Sequence, residues 1–509
     1  MQKRFLLIAV FFLLIAGASA QTATPDLKRL DAFYEQVVKD WDIPGMTVGI
    51  VKDGKLIFSK GYGVKEMGKP GRPDENTLYA IASNTKAFTS AAIATLVQEG
   101  KLSWEGKVRD HLPYFGLYDP FVSQQTTIRD ILSHRVGLGT FSGDVIWYKS
   151  GLSAEEIIRR IPHLPKVYDF RSGYGYSNLM YITAGELMRV ATGKSWAENV
   201  QERLLLPLDM KRTITSVRDL EKTGNFATPH AWKEGKNVPI PWDDWETVAA
   251  TGGIISSVKD LSHWMIFNLD HGVWGKDTIL NAASRNLMWT PHNNFVVDHT
   301  APNDFQRHFS AYGLGWGLSD YRGRLRVGHT GGYDGMISAL NLIPDEKLGV
   351  VVLTNGMRSP IMAVTYQTID AFLGAPEKDW SADLLKLRQE GEQQDIRISD
   401  RQGCRVMGTQ PALSPEACAG TYFSPIYGDI EVKLENGQLR LSFAHSPGLN
   451  AHLEHWHYDV WKINWDEAQA WFGFGTVKFD SDNNLRITGL SFDVPNDDIF
   501  FEELKPVRK

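Results

Sequence analysis

The sequence predicts a mixed α/β (α+β) fold, an antiparallel sheet flanked by helices with a helical lobe, followed by a small all-β, barrel-like domain. Three observations carry this. A helix-spaced segment and a β-prone pair come first, short β runs return after residue 311, and two hairpin patterns follow residue 413.

Taken in order, "MQKRFLLIAVFFLLIAGASA" has Lys3 and Arg4, an apolar run from Phe5 to Gly17, and Ala18-Ser19-Ala20. This is the pattern of a secretory signal with an A-x-A cleavage site, and its 13 apolar residues are too few for a membrane crossing, which needs about 20. Residues 1–20 are therefore expected to be removed, leaving a secreted or periplasmic chain without a transmembrane anchor. Loss of Lys3 and Arg4 moves the net charge from −6 to −8. That mild acidity argues against nucleic acid as a partner.

"PDLKRLDAFYEQVVKDW" places Leu27, Leu30, Phe33, Val37 and Val38 at helical spacing. In "GMTVGIVKDGKLIFSKGYG", Asp53-Gly54 separates two β-prone runs, a strong hairpin signal. From residue 311, "AYGLGWGL", "RLRVGHTGG", "ISALNLIPD" and "LGVVVLTN" read as four consecutive antiparallel strands. The helix-rich stretch between the two β regions forms the lobe, and together they make a first domain over residues 21–375. Residues 376–412 turn polar and read as a linker with one short helix. Residues 413–509 form the all-β domain: "GDIEVKLENGQLRLSF" alternates around Asn436-Gly437, and "TVKFDSDNNLRITGLSF" gives a second hairpin. The two cysteines, Cys404 and Cys418, form either a disulfide or two free thiols.

The chemistry begins at "YAIASNTKAFTSAAIATL". Ser83 opens a small-residue helix, where serine is a common cap. Lys86, three residues on, shares its face and brings an ammonium to the hydroxyl. A nucleophile at a helix N-terminus also has backbone N–H groups and the positive dipole end beside it, which suits an oxyanion. The pattern is weak alone, because Ser-x-x-Lys recurs at Ser256–Lys259, where Ser257 and Asp260 have capping-box spacing.

Two further motifs change the weighing. "GYGYSNLMY" supplies Tyr176-Ser177-Asn178, 93 residues after Ser83, and "VGHTGGYDG" supplies His329-Thr330-Gly331, 153 residues later. In this order they resemble the serine β-lactamase and penicillin-binding-protein superfamily. The branch is that of class C β-lactamases, D-Ala-D-Ala carboxypeptidases, D-aminopeptidases and related esterases. The resemblance spans residues 25–375, with Arg135-Val136 where a small hydroxyl pair is usual; "TIRDILSHRVGL" and "TGGIISSVKDLSHW" look structural. The last domain resembles a lipocalin-like module.

The resemblance implies that Ser83 attacks an amide or ester carbonyl and becomes acylated, with Lys86 and Tyr176 managing its proton. His329 completes the catalytic set. Asn178, Thr330 and Gly332 would hold substrate, and the backbone N–H groups of Ser83 and Gly332 would receive the oxyanion. An adjacent cation lowers a phenol by roughly 1 to 3 pKa units, so Lys86 would bring Tyr176 to about 7 to 9. Either a Tyr176 phenolate or a Lys86 amine can then act as base. His329, near its ordinary pKa, would make the rate titrate between about pH 6 and 7.

The expected activity is an exported serine hydrolase, a D-stereospecific peptidase or esterase acting on a small-molecule or peptide substrate. The alternatives are a class C-like β-lactamase and a non-catalytic ligand-binding relative. No cofactor and no metal are called for. "HLEHWHYD" puts His455, His457 and Asp459 on one strand face, yet reads as structural. Arg322, Arg324 and Arg326 read as solvated hairpin arginines, with a substrate carboxylate as the lesser reading. Neither G-x-S-x-G nor H-E-x-x-H occurs.

Overall fold

The computed structural model describes residues 25–301 and 303–509, so the predicted leader lies outside the described residues. Helix α1 (Leu27–Asp40) starts on Asp26, whose carboxylate accepts from the Lys28 and Arg29 N–H groups. Strands β1 (Gly45–Lys52) and β2 (Lys55–Gly63) follow. They turn through Asp53 and Gly54 at φ 50° and 75°, the left-handed pair that a two-residue hairpin requires.

The sheet is completed from the far end of the domain by β3 (Asn293–Phe295), β4 (Ser310–Tyr312), β5 (Gly317–Tyr321), β6 (Arg324–Tyr333), β7 (Met336–Ile343) and β8 (Leu348–Thr354). All eight strands are antiparallel, in the order β2-β1-β8-β7-β6-β5-β4-β3. "AYGLGWGL" divides into β4 and β5 because Gly313 and Gly315 break the run, and the edge strand β3 gave no sequence signal. Strands β1 and β8 are buried on both faces, so their sequences run apolar without alternation.

One face of the sheet packs on α1 and α5 (Ile361–Leu373) through Tyr34, Val350, Val352 and Ile369. The other meets the lobe. There α2 (Thr85–Gln98), α3 (Asn178–Thr192) and α4 (Val258–Leu269) share one apolar core. Ala87, Ala91 and Ala92 are buried, which lets α2 lie deep against its neighbours. Helix α4 is capped by Ser257, whose hydroxyl accepts from Asp260 N–H at 3.3 Å, so the second Ser-x-x-Lys match is a helix start. Arg135, at the position that departs from the family, pairs with the buried Asp130 at 2.7 Å, as Arg171 does at 2.6 Å.

The segment read as a linker holds two helices rather than one short one, α6 (Trp380–Gln394) and α7 (Arg397–Gly403). Trp380 anchors the first by packing on Phe305 and donating to Asp370 at 2.7 Å, contacts no local pattern announces. Cys404 is exposed and Cys418 buried, both free thiols.

Beyond lie β9 (Gly420–Ser424), β10 (Gly428–Glu435), β11 (Gln438–Phe443), β12 (Ala451–His457), β13 (Val460–Trp465), β14 (Thr476–Ser481), β15 (Ile487–Asp493) and β16 (Val507–Arg508). They form one closed antiparallel barrel, which leaves no open edge. Asn436 and Gly437, at φ 51° and 79°, make the predicted turn. The barrel is docked on the first domain: Glu503 accepts from Ser142 Oγ and Gly143 N at 2.6 Å each, and Ser446 Oγ donates to Tyr148 O at 3.1 Å.

Candidate active site

Ser83 sits in a single 3-10 turn, Ala82–Asn84, that precedes α2. Its oxygen caps nothing, since neither the turn nor the helix has a side-chain cap. Ala82 just before it is buried at φ 47°, a left-handed conformation unfavourable for a residue with a Cβ. Strain of this kind collects where a side chain must be aimed.

The Ser83 oxygen meets Lys86 Nζ at 3.0 Å. Lys86 is fully buried, and its Nζ has two further acceptors, Asn178 Oδ1 at 2.7 Å and Thr251 O at 2.8 Å. Burial holds the ammonium well below its ordinary pKa, opposed by the charge of Asp144. As a free amine, Lys86 has two N–H groups, and Asn178 and Thr251 accept both. Its lone pair is then left facing the Ser83 hydroxyl, which is the geometry of a general base.

Asn178 is the first residue of α3 and is fixed from both sides. Its Oδ1 also accepts from Thr251 Oγ1 at 2.7 Å, and its Nδ2 donates to Asp144 Oδ2 at 2.6 Å. Burial pushes the Asp144 carboxyl up to about 8. Trp147 Nε1 donates to its other oxygen at 2.8 Å.

Tyr176 stands just before α3, with a buried hydroxyl that has no hydrogen-bond partner among the described residues. Burial raises its pKa well above the ordinary value, opposed by the neighbouring Ser83 hydroxyl. This reverses the expected lowering to about 7 to 9. The physical reason is placement: Lys86 Nζ lies over the Tyr176 ring, 4.8 Å from its centroid, where the aromatic face receives the cation. Burial thus pushes the two groups apart, favouring the neutral amine on Lys86 and the neutral phenol on Tyr176.

His329 lies half-buried on β6. Its Nδ1–H donates to Thr330 O, which leaves Nε2 to accept from Tyr312 O–H at 3.0 Å. Burial foremost, with Lys86 adding to it when charged, lowers its pKa to about 4, below the expected titration between pH 6 and 7. With Lys86 as the base, kcat/KM is expected to fall as falling pH protonates the amine. We expect His329→Asn to keep the position of that acidic limb. A limb between pH 6 and 7 that vanishes in His329→Asn would contradict this.

Strand β6 outruns β5: residues 324–328 pair with β5, whereas residues 329–333 pair only with β7. Their free edge can take an extended substrate as an added strand. Gly331 is there because nothing else fits; a Cβ would lie 2.2 Å from Ile81 O and 2.9 Å from Ser83 N. Ser83, Tyr176, Asn178, His329, Thr330 and Gly332 all line one cavity of about 480 Å³. Lys86 is fully buried and reaches this cavity through its contact with Ser83.

Several site residues escaped the sequence reading. His134 packs 4.4 Å from the Tyr176 ring and accepts from Ser177 N–H at 3.1 Å, while burial keeps it neutral. Thr251 comes from the segment read as purely structural. Trp471, Asp498 and Ile499 line the cavity from the barrel, and the Trp471 ring would lie 2.7 Å from a Cβ on Gly332. None carries a local motif; only the folding of the barrel onto the cleft reveals them.

The metal reading of "HLEHWHYD" gains nothing. His455 Nε2 bonds Tyr458 O at 2.9 Å, His457 Nδ1 accepts from Val406 N–H at 3.1 Å, and Asp459 accepts from Ala412 and Leu413 N–H. These residues fasten the segment before the barrel. Among the described residues no group of three or more His, Cys, Asp or Glu side chains is placed to hold a metal ion, and no helix is long and apolar enough to cross a membrane.

Residues 30–372 match the family described as Beta-lactamase, and residues 405–507 match a domain of unknown function, DUF3471. The chain therefore belongs to the Beta-lactamase family, a β-lactamase-fold family of serine hydrolases. It is similar to the "Unguisins hydrolase ungD'" of Aspergillus campestris, 30% identical over 435 residues that cover 79% of this chain and 78% of that protein. Its fold is similar to the octameric penicillin-binding protein homologue from Pyrococcus abyssi, with TM-score 0.62, 22% identity, and 95% and 100% of the two chains covered. A class C β-lactamase from Rhodobacter sphaeroides superposes with TM-score 0.55 at 19% identity, covering 68% of this chain and 99% of that one.

Proposed function

We propose that the protein is an exported serine hydrolase that cleaves amide or ester bonds through an acyl-enzyme, as a D-stereospecific peptidase or esterase of the penicillin-binding-protein type. The observation that carries the chemistry is the buried Lys86 Nζ, 3.0 Å from Ser83 Oγ with both its N–H groups taken. Lys86 removes the Ser83 proton as the oxygen attacks. The backbone N–H groups of Ser83 and Gly332 receive the developing oxyanion, worth about 10²–10³-fold in rate per donor. Tyr176, kept neutral, gives its hydroxyl proton to the leaving group and is reprotonated from the Lys86 ammonium by way of the Ser83 oxygen, so both groups end as they began. Asn178, Thr330 and the free edge of β6 hold the substrate, and His329 acts as a neutral acceptor from Tyr312. Export rests on the leader pattern of residues 1–20.

Two observations favour a peptide or ester over a β-lactam. A neutral histidine stands where many β-lactamases place a lysine, and the cleft is roofed by Trp471. The similarity to a protein named as a hydrolase of unguisins supports hydrolytic turnover. The test is turnover of paired D- and L-aminoacyl amides and aryl esters beside a chromogenic β-lactam. The reading expects the D-amide or an ester to turn over fastest; rapid β-lactam hydrolysis with slow deacylation of the others would favour the β-lactamase alternative. Trp471→Ala should lower kcat/KM about tenfold through KM, as truncation of an aromatic contact does. An unchanged KM would remove the barrel from the site.

A further inference from the structure

The far end of the same cavity holds a cation with no anionic partner among the described residues. Arg326 lies on β6 and lines the cavity that Ser83 opens. Its neighbours Arg322 and Arg324 are neutralised by Asp370 and Glu346, each at 2.7 Å. Both hydrogen bonds of Arg326 go to neutral groups: Nε donates to Ser319 Oγ at 3.1 Å and Nη1 to Asn341 Oδ1 at 3.2 Å. The Tyr366 ring centroid lies 5.8 Å from its guanidinium carbon.

Asn341 supplies an independent sign. It is 3% exposed, lines the cavity, and has its Oδ1 occupied by Arg326, while its Nδ2 has no partner among the described residues. Buried amide donors are almost always paired. Arg326 and Asn341 thus present only N–H donors to this end of the cavity. Between them and the Ser83 end lie Gly317 and Gly328, register partners on β5 and β6 that both line the cavity without side chains.

We infer that Arg326 and Asn341 form a subsite for a carboxylate at the distal end of an extended substrate. The guanidinium fork matches a carboxylate in two bonds, and Asn341 Nδ2 adds a third. Five residues separate Arg326 from Gly331, about 16 Å of strand at roughly 3.3 Å per residue, so the carboxylate lies several bonds from the scissile carbonyl. Gly328 makes room for the Asn341 amide itself, since a Cβ there would lie 2.5 Å from Asn341 Oδ1, and both glycines line the cavity between its two ends. The inference rests on the serine-hydrolase reading for what lies at the near end.

The test reads binding and needs no turnover. Ser83→Ala protein is titrated by calorimetry with straight-chain dicarboxylates of increasing length and with the monocarboxylate of each length. At one length the dicarboxylate is expected to bind at least about tenfold more tightly, the gain of a charge-assisted contact. Arg326→Met should abolish that difference and leave the monocarboxylate within about threefold. Asn341→Asp supplies Arg326 with an internal carboxylate, so it should fold as stably as the parent and also lose the preference. A preference absent at every length, or kept in either variant, overturns the subsite. Failure of the hydrolase reading would show separately, as no acylation of wild type at Ser83.

Discussion

Lys86→Met is expected to lower kcat/KM by about 10²–10⁴-fold at neutral pH, the contribution of a positioned general base. The side chains have similar length, and the buried site already excludes water, so the apolar replacement fits the space. What disappears is the group that the proposed mechanism uses to take the Ser83 proton, 3.0 Å from Ser83 Oγ. Tyr176 does not substitute, because burial raises its pKa and Lys86 lies at its ring rather than its hydroxyl. The variant also strips Asn178 Oδ1 and Thr251 O of a donor, so a thermal melt should accompany the kinetics. A folded Lys86→Met that keeps wild-type kcat would transfer the base role elsewhere.

Gly331→Ala should cost nearly as much while leaving every catalytic side chain chemically unchanged. The added Cβ would meet Ile81 O at 2.2 Å and Ser83 N at 2.9 Å, and backbone on both sides cannot swing away. Strand β6 must move off the Ser83 turn, and a shift of about 1 Å in a positioned site costs on the order of 10²-fold in rate. Overpacking also destabilises by about 1–3 kcal/mol. Gly391→Ala, where a Cβ meets nothing within 4 Å, is the control expected to match wild type in both assays. Equal activity in the two variants would mean that β6 does not form one wall of the site.

The sheet and barrel were legible because their signals are local. Asp53-Gly54 and Asn436-Gly437 each force a left-handed pair, and alternation marks the strands on either side. Ser83, Lys86, Tyr176, Asn178 and His329 were legible through their order along the chain, and the fold gathers them around one cavity. The protonation states were not legible. Spacing can place Lys86 near Tyr176, but only the packed structure shows the amine over the ring, the depth of burial, and Tyr312 supplying the proton that His329 accepts. Long-range contacts hid the rest: Asp144 is hydrogen-bonded by Asn178 across the fold, and Trp471 comes from the barrel, 140 residues beyond Gly331. α6 was undercalled because its anchor, Trp380, finds Phe305 and Asp370 across the fold rather than along its own helix.

The central claim is that Ser83 is the nucleophile. Intact-mass spectrometry after incubation with an activated aryl ester and with a β-lactam measures it directly. Wild type and Ser256→Ala should each gain one acyl group, mapped to the peptide containing Ser83, and Ser83→Ala should gain none. An adduct that persists in Ser83→Ala, or one that maps to Ser256, would contradict the account.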